Sequence, residues 1–373
     1  MTSESLQWSE WSHNNPKLRH LNRRSEPQIA YIENLVATSK WDEHVSMLPY
    51  SLALLATLSV VPVPTAPNFA PFNAPLCGKP DLSTSVFCGS LQEAVANVVN
   101  ESSEALNAAH ACASKVAIMC AQIPGRAQQL ERLFGDAPSC NVEKVMQSMV
   151  DRLTEEAIMA DDLTLKLLKT MATAQSTHKT VQEQAAARRA ELMNMSDFKG
   201  KDRDALLSLL RRTQQVLGPD ELKDKWAGLI AFFETLSEVV SALLNRVIDV
   251  TRTVMDAIHS GKTSNEDRYM VMGDELVDQT ALVQEAADVA LVLAATYLEA
   301  SAKTAVGAPL ATLARKVLRH SNKDAKAVMT ERSNMLKEAG ELTQQVAATA
   351  CAAKTKLIEQ LHASWRRHGI LPQ

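Results

Sequence analysis

The chain has 373 residues and a formal net charge of -4, with an isoelectric point near 6.2, so it carries no global basic field and nucleic acid is not an expected partner. Aromatic residues make up 4% of it, and the dominant Ala, Leu, Glu, Lys, Gln and Met are good helix formers, which argues against a β-rich fold. The length would suit two ordinary domains, but long helices laid side by side absorb it in one bundle.

Residues 1–44 are polar, with Trp8 and Trp11 among Ser and Asn, and are too polar for a secretory signal starting at Met1. Lys17, Arg19, His20, Arg23 and Arg24 form a basic cluster there, and Arg366, Arg367 and His368 form another near the C-terminus. Both read as solvated ends, with an anionic membrane surface as the alternative partner.

Residues 45–78 carry no charged side chain. An apolar run from Met47 to Val63 opens this segment, which then turns proline-rich. The run is near the lower limit for a membrane-spanning helix. Left on a soluble surface it would be a large apolar patch, so it must be buried, bound to a partner or inserted into lipid. Leu52, Leu54, Leu55, Leu58, Val60 and Val61 are the candidate membrane-contact residues. The competing readings are a buried helix continued by a proline-rich strap over the bundle, and an internal signal peptide lacking its basic end.

Helical punctuation and periodicity then take over. Ser90-Leu-Gln-Glu93 is a capping box opening a helix through Val95, Val98, Leu106, Val116 and Met119, expected to end near Ile123 before Pro124. A short segment around Leu130 to Phe134 follows. From Val142 a stripe through Val145, Met149, Leu153, Ala157, Ala160, Leu167, Met171, Val181 and Leu192 predicts a helix about 80 Å long. Gly200 is expected to kink or break it, and Gly218-Pro219 to end it.

The broadest apolar face follows Pro219, led by Trp226 and continued by Ile230, Phe233, Leu236 and Val240, which are the candidate core residues. Such a face must be buried between neighbours. After Gly261 and a Ser264-x-x-Asp267 cap comes a helix through Leu276, Ala286, Leu293 and Tyr297. Beyond Gly307 and Pro309 a last helix carries Leu313, Val328, Leu336, Val346, Leu357 and Trp365. The expected fold is all-α: an elongated bundle of long antiparallel helices over 88–367, preceded by the apolar, proline-rich segment 45–87 and followed by a tail, 368–373.

Signatures of chemistry are sparse. The chain has no Walker loop, dinucleotide fingerprint, G-x-S-x-G elbow or H-E-x-x-H pair. Glu359-x-x-His362 and Asp256-x-x-His259 each set a carboxylate and an imidazole one helical turn apart, the element used by di-metal bundles, but one pair carries Asp and both lie near helix ends. No metal, cofactor or catalytic residue is therefore assigned. Arg315, Arg319, Lys323 and Lys326 form a basic row that reads as a solvated face. The six cysteines lack C-x-x-C spacing, and Cys112 and Cys120, eight apart on one helical face, are expected as buried thiols.

Trp226-Ala-Gly-Leu-Ile-Ala-Phe-Phe within a body of very long helices resembles the all-helical pore-forming toxins typified by cytolysin A, the Bacillus haemolytic enterotoxin components and xenorhabdolysin. The resemblance covers residues 88 to 367 as architecture. It implies a non-enzymatic soluble protein that exposes an apolar segment at a lipid membrane and forms a homo-oligomer or joins a second protein component. The enterotoxin type carries its apolar tongue between long helices in mid-chain, whereas here the strongest apolar segment precedes them and the mid-chain candidate, Val289 to Leu298, is short. The alternative is a scaffold or adaptor bundle binding protein partners.

Overall fold

A computed structural model describes residues 28–58, 91–135, 140–194, 207, 221–261, 266–304 and 325–367. Those residues form helices and contain no strand. Three short helices come first: α1 (Gln28–Thr38), α2 (Trp41–Val45) and α3 (Leu48–Leu58). Five long ones follow: α4 (Leu91–Gly135), α5 (Cys140–Asn194), α6 (Glu221–Gly261), α7 (Glu266–Lys303) and α8 (Ala325–Arg367).

Four of the long helices form a closed cycle in which α4 packs on α5, α5 on α6, α6 on α7 and α7 back on α4. As α5 advances from Thr154 to Met171, its partners on α6 retreat from Thr251 to Trp226, so the two helices run in opposite directions. The same holds for α4 and α7, where His110 meets Ser301 and Glu131 meets Thr280. Only residues 136–139 and 262–265 separate α4 from α5 and α6 from α7, and short connections favour neighbouring helices of opposite direction.

Inside the cycle the core is continuous. Phe232, Phe233 and Tyr297 are fully buried and stack on one another, Phe233 edge-on to Tyr297 with ring centroids 4.8 Å apart. Such geometry favours the ring quadrupoles beyond simple burial. Of the candidate core residues, Trp226, Phe233, Leu236 and Val240 are buried, and Ile230 is half-buried against the same cluster. The Trp226 indole N–H donates to the Met171 carbonyl of α5 at 3.2 Å. Trp226→Ala is therefore expected to lower stability by about 3 to 5 kcal/mol, measured as a shift of the urea midpoint; an unmoved midpoint would contradict the packing.

Two expectations fail in instructive ways. The helix expected to stop before Pro124 runs through it to Gly135. An interior proline costs about 3 kcal/mol, but Ile123, Ala127, Leu130 and Phe134 continue the buried stripe across it, and their combined burial exceeds that cost. In α5 the stripe is one residue out of register at its start. Val145 is exposed, while Met146 and Val150 face the core. The expected kink at Gly200, the Ser264 cap and Arg315, Arg319 and Lys323 fall outside the described residues.

Candidate functional site

The uncharged segment and the C-terminal helix come together. α3 packs against α8 and also meets α4, α6 and α7, while α1 and α2 lie across α6 and α8. Ten of the eleven α3 residues are buried. Of the candidate membrane-contact residues, Leu52, Leu54, Leu55 and Leu58 are at most 3% exposed; Val60 and Val61 lie outside the described residues. In this fold, then, the leucines face protein. The lack of charge has a direct cause: the helix is surrounded by other helices, and an unpaired ion there would cost several kcal/mol.

Backbone proximity shapes the seat. Gly228 lies in the middle of α6, where glycine weakens a helix by roughly 1 kcal/mol. A Cβ at that position would stand 3.3 Å from the Met47 side chain and 3.7 Å from His44. The missing side chain makes a notch into which the turn between α2 and α3 settles. Beside it, the Lys225 ammonium lies 5.7 Å from the centre of the Tyr50 ring.

Polar contacts tie the two ends of the chain together. The Lys354 ammonium of α8 donates to the Ser39 carbonyl at 2.7 Å and to the Asp42 carboxylate at 2.9 Å. Both side chains of the ion pair are 16% exposed, so it is screened less than a surface pair. About two helical turns further on, His362 Nε2 contacts Glu33 at 2.5 Å. His362, which the sequence pairs with Glu359, thus has a carboxylate partner on α1. Among the described residues no group of three or more His, Cys, Asp or Glu side chains is placed to hold a metal ion.

His44 sits at the edge of this seat. Burial pushes its imidazole pKa below the ordinary 6.5, against the opposing pull of Glu43 and Asp42 and, more weakly, Glu234, while Lys40 adds to the lowering. The fold prefers the neutral ring. Its contribution to stability is therefore complete above the unfolded pKa and is lost as pH falls through the lower folded value. Acidification from pH 7 to pH 5 is expected to lower the protection factors of the α2 amides, each referred to the intrinsic exchange rate at that pH, and His44→Gln to remove that part of the pH dependence; equal changes in protection in both chains would contradict this.

A second polar feature lies inside the bundle, where the sequence pattern shows only an apolar stripe. Arg246 of α6 is 2% exposed, donates to the Leu282 carbonyl of α7 at 2.5 Å and lies 3.8 Å from the Glu285 carboxylate. The α5–α6 seam is also polar in places: Thr154 meets Thr251 at 3.1 Å, Ser241 donates to Asp161 at 2.5 Å, and Thr164 donates to Ser237 at 3.2 Å. Cys112 and Cys120 are free and buried, and desolvation pushes both thiols up to about 12, which makes them poor nucleophiles.

The fold and this site define a class: an all-helical protein in which a short N-terminal helical strap is clasped between a four-helix cycle and the C-terminal helix. No protein-family model, curated protein or solved structure matches the chain.

Proposed function

We propose that the chain is a membrane-interacting, pore-forming-toxin-like helical bundle: elongated, antiparallel and non-enzymatic, holding its lipid-contacting surface inside the soluble fold and self-associating, or joining a second protein component, at a membrane. One observation carries this reading. The adjacent helices α6 and α7 each contain a stretch, Leu222–Ile258 and Glu275–Lys303, long and apolar enough to cross a bilayer, and a little over half of the most apolar part of each is buried in the fold. Core helices of soluble proteins share that property, so the reading rests on two of them being neighbours beneath a strap that itself carries no charge over α3. The test is release of a trapped dye, with sedimentation, from vesicles of phosphatidylcholine and phosphatidylglycerol mixed with the purified full-length chain. Leakage supports the proposal. Neither binding nor leakage at any composition would refute it.

A second reading has its own support. The apolar α3 is spent on internal packing, as in a soluble scaffold or adaptor whose long helices present protein-binding surfaces. Such a protein would leave the trapped dye in place.

A further inference from the structure

Along α6 the buried residues Trp226, Phe233, Val240, Val247 and Val254 recur at seven-residue spacing. The facing helix α7 does the same with Leu276, Val283, Ala290 and Tyr297. Seven residues are nearly two full turns, so a slide of one helix along the other by that amount returns each face to within about 20° of its starting direction. Apolar side chains would meet apolar side chains again. Hydrophobic burial is non-directional, and the buried stretch of α7 between Val283 and Leu293 includes Ala286, Ala287 and Ala290, whose small side chains offer little relief to stop a sliding neighbour.

Arg246 and Glu285 break the repeat. Their side chains are 2% and 7% exposed and lie 3.8 Å apart across the α6–α7 contact, with the guanidinium donating to the Leu282 carbonyl at 2.5 Å. A slide of seven residues would set Glu285 opposite either Val239 or Thr253, both buried, and take the cation away from its carboxylate. Arg246 would then come opposite Asp278 in the first case and Val292 in the second. Stranding one member of a buried ion pair is far costlier than exchanging one apolar contact for another.

Other contacts discriminate less sharply. The rings of Phe232, Phe233 and Tyr297 favour the observed register, but the slide would only give Tyr297 the apolar partners Trp226 or Val240 instead. On the α5–α6 seam the Thr154–Thr251 and Thr164–Ser237 contacts join uncharged groups, and such bonds are about half as strong as those to an ion. The Glu131–Thr280 contact on the α4–α7 seam is only part-buried.

We infer that the Arg246–Glu285 pair is a register key: it sets which residues of α6 and α7 lie side by side in a contact whose apolar pattern alone fits more than one alignment. This does not depend on whether the protein meets a membrane.

The experiment uses the full-length chain with Cys77→Ser, Cys88→Ser, Cys140→Ser and Cys351→Ser, leaving the buried Cys112 and Cys120. Ala227→Cys on α6 and Val277→Cys on α7, both at exposed positions, carry nitroxide labels about 40 Å apart along the bundle, and their separation is read by pulsed electron–electron double resonance. This labelled chain is expected to give one narrow distance. Adding Arg246→Met with Glu285→Leu is expected to keep the helix content yet to add a second distance displaced by about 10 Å, carried by about a tenth of the molecules or more. Phe233→Leu, which removes the ring contact but keeps the pair, is expected to retain the single distance. A double variant with only the original distance overturns the inference. So does one that loses its helix content, because a residue pair that only selects the register is dispensable for helix formation. Two distances in Phe233→Leu would assign the register to the rings and overturn it too.

Discussion

Replacing Leu55 and Leu58 by aspartate is expected to drive α3 out of its seat and leave the protein partly unfolded or aggregated in water. Both leucines are at most 1% exposed. Each substitution removes a side chain whose burial contributes roughly 1.5 to 3 kcal/mol and adds a carboxylate whose unpaired burial costs several kcal/mol more. The sum reaches the whole stability of an ordinary domain, about 5 to 15 kcal/mol, so the seat cannot hold both. Urea denaturation with hydrogen exchange in α3 is the measurement. A doubly substituted chain with an unchanged midpoint and protected α3 amides would show that the segment is only loosely docked.

The second large effect is expected at Glu285. Glu285→Ala takes the carboxylate from beside a guanidinium that is 2% exposed on the neighbouring helix. Breaking a buried pair on one side typically costs about 3 to 5 kcal/mol, and the Leu282 carbonyl retains only part of the compensation. Changing both partners to apolar residues, Arg246→Met with Glu285→Leu, is expected to cost far less and can stabilise, because neither charge is then desolvated. Denaturant midpoints of Arg246→Met, Glu285→Leu and the double variant form a cycle that isolates the coupling. Two single losses that simply add up to the loss in the double variant would show that the pair does not act together.

The parts of this fold legible in the sequence are those governed by local periodicity. Trp226, Phe233, Leu236 and Val240 recur at helical spacing and lie in the core because a broad stripe has nowhere else to go. Pro124 misled because a local rule met a tertiary one, the burial of Leu130 and Phe134 beyond it. Leu52 to Leu58 announced that they need cover, but an uncharged run does not specify whether protein or lipid supplies it. Lys354 with Asp42 and His362 with Glu33 were illegible for a different reason. Each pair lies more than 300 positions apart, and single charges on a helix read as solvated until a partner appears. Arg246 was hidden in the same way, as one cation inside an apolar stretch.

The clasp between the chain ends bears on how a ribosome can make this protein. Glu33 and His362 are 329 positions apart. At about 5 to 20 residues per second, roughly 15 to 65 s of synthesis separate the two. For most of that interval α3, without a single charge, has been made while α8 has not. Nascent chains must carry this sticky helix while residues 59–324 are made, which makes it a natural client for a holding chaperone. Clones that truncate α8 are therefore expected to precipitate rather than to yield a smaller soluble protein.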